Sequence, residues 1–198
     1  MSVSEKHRDL SEARIHRFDR QRVVVEDFEA SGFILDVGGG GEGIIGRLKG
    51  NQVVAIDSRR EELEEAAEGP LKIVMDAREL HFLDGSFDVV TSFFTLMYLE
   101  EEDHRTVFGE VRRVLRPGGR FLIWDVEMPP RVQDEQDIAV FPLVIELPTA
   151  EVETGYGSYW PREPLTVSGY VDLAEAVGFD VLGQRQSRDI FYLELHRE

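Results

Sequence analysis

The chain has no cysteine. That absence excludes a disulfide framework, a thiolate zinc site and a thiol nucleophile. Basic residues are scarce beside acidic ones: 22 Lys and Arg stand against 39 Asp and Glu, a formal net charge of −17. Nucleic-acid binding depends on neutralising phosphates with Lys and Arg, so this balance argues against DNA or RNA as a partner. No apolar run approaches membrane-spanning length, and residues 1–19 lack the apolar centre of a signal peptide. No membrane association is expected, and the compartment expected by default is cytoplasmic. His7, His16, His81, His104 and His196 show no metal-ligand spacing, so no metal site is expected. The acid clusters Glu61-Glu62 and Glu100 to Asp103 read as solvated helix faces. At 198 residues and 42% hydrophobic content, one domain with a sizeable core is expected.

What the chain does have is a glycine-rich turn behind an apolar run. Phe33-Ile34-Leu35-Asp36-Val37 leads into Gly38-Gly39-Gly40-Gly41-Glu42-Gly43. The run reads as a buried strand, and the glycines allow a tight reversal and close approach of a ligand to bare backbone. Gly43 to Leu48 then suits the first turns of a helix. Strand, glycine turn and helix form the geometry of a nucleotide-type cofactor site. Gly38, Gly40 and Gly43 satisfy the dinucleotide pattern G-x-G-x-x-G. A pyrophosphate, however, favours a helix start free of competing anions. Asp36 stands just before this turn and Glu42 stands inside it. Two carboxylates there repel a diphosphate and suit a cofactor that carries an ammonium and a sulfonium, S-adenosylmethionine.

On Asp36, Gly38 and Gly40 the chain resembles the class I S-adenosylmethionine-dependent methyltransferases, whose first motif is an acid followed by Gly-x-Gly-x-Gly. The third glycine of that motif is Glu42 here, with Gly43 behind it. A second apolar run, Val53 to Ile56, ends in Asp57, 21 residues after Asp36. An acid at about 20 residues past the turn is placed to accept from the ribose hydroxyls, with Ser58 beside it. The alternative for Asp57 is a plain helix cap ahead of Glu61 to Ala67. A third run, Leu71 to Met75, ends in Asp76-Ala77. The resemblance implies that Asp76 accepts from the adenine amino group and that the Ala77 N–H faces a ring nitrogen. The alternative is an Asx-turn.

Asp84-Gly85-Ser86 then turns the chain into a fourth strand, Phe87 to Ser92, followed by Phe93-Phe94-Thr95-Leu96-Met97-Tyr98-Leu99. The resemblance, which is strongest to the ubiquinone and menaquinone biosynthesis enzymes, implies that Phe93 and Phe94 sit beside the methionine half of the cofactor. Core packing is the alternative, expected for one of the two. Met97 and Tyr98 stand where those relatives often carry histidines. Exocyclic-amine methyltransferases carry a proline-rich tetrad after the fourth strand, from which Ser92-Phe93-Phe94-Thr95 departs. Absence of cysteine also excludes methylation through attack on a pyrimidine ring. A small-molecule acceptor is therefore expected.

Val107, Phe108, Val111, Val114 and Leu115 fall at helical spacing from Glu101 onward, with Arg112, Arg113 and Arg116 at the end that favours cations. Pro117-Gly118-Gly119 is expected to stop that helix, and Phe121 to Trp124 to form the next strand. The string Arg113 to Arg120 closely resembles the family's motif after the fourth helix. Thr166 to Val177 reads as a helix capped by Thr166 and ended by Gly178; Val181-Leu182 and Ile190 to His196 read as the closing strand pair. Helix–strand alternation indicates a parallel sheet with right-handed crossovers. The fold expected is a Rossmann-like, doubly wound α/β domain. Its sheet is mostly parallel and seven-stranded, with helices on both faces and a last antiparallel strand.

Within one methyltransferase domain over 1–198, four regions are expected. Residues 1–30 form an N-terminal helical cap, with Leu10, Ile15, Phe18 and Phe28 inward over Ser4 to Phe28. Residues 31–126 form the cofactor-binding core. Residues 127–165 form a substrate-side insert, a hairpin or irregular cap, with Phe141, Tyr156, Tyr159 and Trp160 as pocket or anchoring residues. Residues 166–198 supply the closing helix and strand pair. Phe18, Asp19 and Arg22 are candidates for the cofactor's carboxylate end. Tyr98, His104, Asp125 and Tyr159 are possible general bases, and none is singled out as catalytic. Two other functions fit many of the same residues: a non-catalytic S-adenosylmethionine-binding module, and an NAD(P)-dependent oxidoreductase.

Overall fold

The computed structural model describes residues 14–131 and 136–198. They fall into two compact units, each described by itself. One takes in the described residues of 1–29 and 128–164; the other comprises Ala30–Glu127 and Leu165–Glu198.

The larger unit carries a seven-stranded sheet. In chain order its elements begin with β3 (Ile34–Val37), α1 (Ile44–Lys49), β4 (Val53–Asp57), α2 (Arg60–Glu65) and β5 (Leu71–Val74). β6 (Phe87–Phe93), α3 (Glu101–Val114), β7 (Leu115–Val126), α4 (Val167–Val177), β10 (Asp180–Ser187) and β11 (Ile190–His196) complete it. The strand order is β10-β11-β7-β6-β3-β4-β5. The five strands from β7 to β5 pair in parallel, and β11 is antiparallel to both β7 and β10. The expected mostly parallel sheet with a late antiparallel strand is present. The chain runs outward from β3 through β4 to β5, then returns to place β6 on the other side of β3. In open α/β sheets, the carboxyl ends of strands at such a reversal frame ligand sites.

Alternation along the strands sorts the side chains between the two faces. Leu35, Val37, Val54, Ile56, Val90, Phe121 and Ile123 join Val107, Phe108 and Val111 of α3 and Tyr170 and Ala174 of α4 in one buried core. Asp36, Thr91 and Trp124 therefore point to the opposite face. α4 begins at Thr166, whose Oγ1 accepts from the Gly169 amide at 3.1 Å, and ends at Gly178 with φ 95°, as the sequence indicates. α3 ends at Val114, two residues before Arg116. Leu115 is already extended, so Pro117 sits inside the strand run rather than at the helix stop. The helix end is held instead by Arg197, whose Nη1 donates to the carbonyls of Arg112, Arg113 and Leu115.

The smaller unit carries four strands among its described residues: β1 (Ile15–Arg17), β2 (Gln21–Val24), β8 (Ile138–Leu147) and β9 (Ala150–Tyr159). β8 and β9 form the hairpin expected of the 127–165 region, joined at Pro148-Thr149. Over the described part of the helical cap expected at Ser4 to Phe28, Ile15 and Arg22 lie in strands instead, while residues 4–13, Leu10 among them, lie outside the described residues. Gln21, Val23 and Val25 are buried while Arg22 and Val24 are exposed, a period of two that β-branched valines favour. β1 and β2 both run parallel to β8, along the same edge. Pro142 of β8 falls between the two pairings, after Val140 opposite Arg17 and before Leu143 opposite Gln21. A residue without an N–H is tolerated where the partner strand is interrupted.

No helix among the described residues is long and apolar enough to cross a membrane.

Candidate cofactor site at the carboxyl ends of the parallel strands

The glycine turn is tied down at both ends. The amides of Gly38 and Gly39 both donate to the Ile56 carbonyl at 2.9 Å, which fixes the turn to the end of β4. The Gly41 amide donates to the Glu62 carbonyl at 2.8 Å, and the Gly43 amide to the Gly40 carbonyl at 3.1 Å. Gly38, Gly41 and Gly43 have φ of 73°, 59° and 56°, the left-handed region that glycine enters without cost.

The turn also packs on the chain's own acids. A Cβ on Gly39 would lie 2.7 Å from Oδ2 of Asp36, and one on Gly40 would lie 2.8 Å from Oδ2 of Asp57 and 2.5 Å from the Glu62 Cβ. A Cβ on Gly38 would lie 2.2 Å from Oγ1 of Thr95. Each glycine from 38 to 40 thus admits a neighbouring side chain, and position 39, free in the sequence pattern, is as constrained as its neighbours.

Asp36 is buried on β3 and accepts from the Thr91 hydroxyl at 2.7 Å. Burial pushes its carboxyl up to about 7, and the Thr91 bond works the other way. Asp57 ends β4 and accepts from the Arg59 amide at 2.8 Å in an Asx-turn; the helix that follows has Arg59 at its N-cap and no side-chain cap, so Asp57 is not the plain helix cap. Burial raises its pKa too, against the pull of the Arg59 amide and guanidinium. Ser58 beside it is exposed. Asp76, past the end of β5, makes an Asx-turn with the Arg78 amide at 2.9 Å and is gripped by the Arg78 guanidinium, which also reaches Asp103 at 3.0 Å. Hydrogen bonds from Arg78 hold the Asp76 carboxyl below its usual range. Ala77 is half-buried. The ends of β3, β4 and β5 therefore bring Asp36, Asp57 and Asp76 to one edge of the sheet, with Asp76 in an ion pair with Arg78 and Asp57 in the field of Arg59.

Phe93 and Phe94 close the other side of the reversal. Both are buried. Phe93 meets Phe94 at a ring separation of 4.9 Å and Trp124 at 5.9 Å. Phe94 has φ 50°, a conformation that a bulky side chain adopts only when its surroundings impose it. Nothing in the sequence signals this, because left-handed positions are ordinarily marked by glycine or asparagine. The segment is anchored by the Phe94 amide on the Trp124 carbonyl at 2.7 Å and by the Thr95 hydroxyl on the Val37 carbonyl at 3.1 Å.

Two of the possible general bases are committed to backbone. Asp125, fully buried at the end of β7, accepts from the Leu96 amide at 2.8 Å and the Val126 amide at 2.8 Å. Burial pushes it up to about 7 despite those amides. His104 is buried with Nε2 3.0 Å from the Leu96 carbonyl. A carbonyl only accepts, so Nε2 carries the hydrogen. Tyr98 and Tyr159 are exposed. In the smaller unit Phe141 stacks on Phe18 at 4.3 Å and Trp160 donates to the Pro129 carbonyl at 2.7 Å; both are buried in that unit's own packing. Tyr156 is half-buried, and Asp19 and Arg22 are exposed. Among the described residues no cluster of His, Asp or Glu fits a metal ion.

Residues 35–123 match the methyltransferase domain family. The chain is 28% identical over 166 residues to a ubiquinone/menaquinone biosynthesis C-methyltransferase of Pseudomonas paraeruginosa, covering 74% of this chain and 64% of that protein. It is 40% identical over 99 residues to a malonyl-[acyl-carrier protein] O-methyltransferase of Xylella fastidiosa, covering 45% of this chain and 33% of that protein. The chain thus spans less than two thirds of the length of these relatives. A solved S-adenosylmethionine-dependent methyltransferase from Mesorhizobium loti superposes with a TM-score of 0.61 at 18% identity, over 86% of this chain and 94% of that one. Over residues 35–123 the chain is similar to the methyltransferase domain family, and it shares the Rossmann-like fold of that solved methyltransferase.

Proposed function

We propose that this chain, built on a class I methyltransferase domain, binds S-adenosylmethionine and transfers its methyl group to an O, N or C atom of a small molecule. The observation that carries the reading is the meeting of Asp36, Asp57 and the 38–43 turn at the carboxyl ends of β3 and β4, where the strand order reverses. Two acids raised by burial favour a cationic ligand over a diphosphate, because a nearby positive charge returns them to the ionised form. That arrangement fits S-adenosylmethionine and opposes NAD(P).

When bound, the cofactor supplies an activated methyl, which an acceptor lone pair takes by in-line displacement to leave S-adenosylhomocysteine. The chain's own residues orient and desolvate. Asp57 accepts from the ribose hydroxyls with Ser58 beside it. Gly38, Gly39 and Gly40 let the turn close on Asp36 and Asp57, and Phe93 and Phe94 wall the methionine half. Asp76 and Ala77 face the adenine, for which Asp76 shares its carboxylate with Arg78. No side chain is assigned as general base, since Asp125 and His104 already serve the backbone. The 127–165 insert, outside the matched residues 35–123, is assigned the choice of acceptor. A cytoplasmic location and an acceptor other than nucleic acid, in keeping with the charge of −17, belong to the same proposal.

Thermal unfolding with S-adenosylmethionine, S-adenosylhomocysteine, NAD and NADP tests it. A ligand at 100 times its dissociation constant adds about 2.7 kcal/mol of stability. A rise with the two sulfur nucleosides alone supports the reading, and a rise with NAD or NADP alone overturns it. Turnover on a panel of small-molecule acceptors then separates an enzyme from a binding module.

A further inference from the structure

The segment that follows β6 is held in a conformation its own sequence disfavours. Phe94 sits at φ 50°, and Leu96–Tyr98 then form one tight 3₁₀ turn with no side-chain cap of their own. Three neighbouring elements hold it. Asp125 of β7 accepts the Leu96 amide at 2.8 Å and the Met97 amide at 3.4 Å through one oxygen, while its other oxygen takes the Val126 amide at 2.8 Å. His104 of α3 donates to the carbonyl of the same Leu96 at 3.0 Å. Tyr170 of α4 places its hydroxyl 3.4 Å from the same imidazole nitrogen, with the rings edge to face at 5.3 Å. All four side chains concerned, Leu96, His104, Asp125 and Tyr170, are buried. The Leu96 residue is therefore gripped at its N–H by an acid and at its C=O by an imidazole.

A carboxyl group taken wholly out of water and given to backbone amides is an expensive anchor. An apolar side chain on β7 would pack there without that cost. What the acid adds is a fixed acceptor for the Leu96 and Met97 amides of the strained turn.

We propose that Asp125 is a positioning residue for the cofactor, acting through the Phe93–Met97 backbone, with His104 as its counterpart on the Leu96 carbonyl. This rests on the proposed function, under which Phe93 and Phe94 wall the methionine half of S-adenosylmethionine. Asp125 touches neither cofactor nor acceptor. Its work is to keep the wall in one conformation before the ligand arrives, so that binding does not have to order it.

The test compares the wild-type chain with Asp125→Asn, which keeps the shape but replaces one of the two acceptor oxygens with an NH₂ that faces a backbone N–H. Two readouts are taken on each: amide hydrogen exchange by mass spectrometry and S-adenosylhomocysteine affinity by calorimetry. Losing a buried acceptor should speed exchange over Thr95 to Met97 by about ten- to hundredfold, leave β11 unchanged, and weaken S-adenosylhomocysteine by about tenfold or more. Faster exchange spread equally over β7 and β11 would make Asp125 a general stability residue and overturn the proposal. Faster exchange at 95–97 with unchanged affinity would also overturn it. If Asp125→Asn does not fold, His104→Leu carries the same two readouts, expected in the same direction and smaller, with the same overturning results. Wild-type protein that binds no S-adenosylhomocysteine overturns the proposed function itself, and the affinity half of this proposal with it; the exchange pattern still decides whether Asp125 holds the segment.

Discussion

Gly38 separates two roles that a glycine in such a turn can play, admitting the cofactor or admitting the protein itself. Its φ of 73° costs alanine about 1–2 kcal/mol. An added Cβ would also lie 2.2 Å from Oγ1, 2.4 Å from Cγ2 and 2.8 Å from Cβ of Thr95, and overpacking of that kind costs about 1–3 kcal/mol. If Thr95 rotates away, its hydroxyl loses the Val37 carbonyl at 3.1 Å, worth about 1 kcal/mol. Gly38→Ala should therefore destabilise the fold by about 3–6 kcal/mol, a large part of the stability of a typical domain. Urea unfolding of Gly38→Ala, Thr95→Gly and the double variant measures the coupling. Thr95→Gly removes the three atoms nearest the new Cβ, so the double variant should recover about 1–3 kcal/mol relative to additivity. Additive costs would refute the collision. The affinity of the double variant for S-adenosylhomocysteine then reads the second role: recovery of stability without recovery of binding shows that the bare backbone also faces the ligand.

Asp57→Ala should weaken S-adenosylmethionine and S-adenosylhomocysteine strongly, and unchanged calorimetric affinity would remove the ribose assignment. Asp36 and Asp125 both hold their protons up to about 7, above the unfolded value near 4, so the native state binds these protons more tightly. Stability should fall as pH rises from about 4 to 7, by up to about 4 kcal/mol per group, and level off above. Urea unfolding at pH 5, 6, 7 and 8 checks the sign, and Asp36→Asn should remove its share of the slope. Asp88, lowered to about 2 by Arg116 and Ser31, acts oppositely and only below pH 4. Arg78→Ala should change unfolding stability by less than about 1 kcal/mol, because the pair with Asp76 is about half exposed. It should alter adenosine-ring selectivity if Asp76 faces the adenine, as binding of S-adenosylhomocysteine against its inosine analogue would show.

Local chemistry made much of the larger unit legible. Thr166 and Gly178 bound α4 because a cap hydroxyl and a left-handed glycine act within a few residues of the helix they end. β3, β4 and β6 each show as an apolar run closed by a turn or an acid. The N-terminal strands were hidden because the partner of Arg17 is Val140, more than a hundred residues on, and a lone Arg22-Val23-Val24-Val25 segment does not announce whether such a partner exists. The acids at the strand ends could be read from position, but not their company. That Gly39 admits Asp36, that Arg78 already grips Asp76, and that Asp125 serves the Leu96 amide are facts of packing. The φ of Phe94 was invisible for the same reason, since it is imposed by β7, α3 and the end of β3.

β11 lies between β7 and β10, an interior strand made after every strand it joins. During synthesis β7 therefore emerges with one edge open, and Phe121 and Ile123 await Leu195 and Leu193 across it. A ribosome adding about 5–20 residues per second leaves that apolar edge uncovered for several seconds. Nascent chains halted between Val126 and Ile190 should bind chaperones or pair edge to edge with one another, whereas release of His196 closes the sheet.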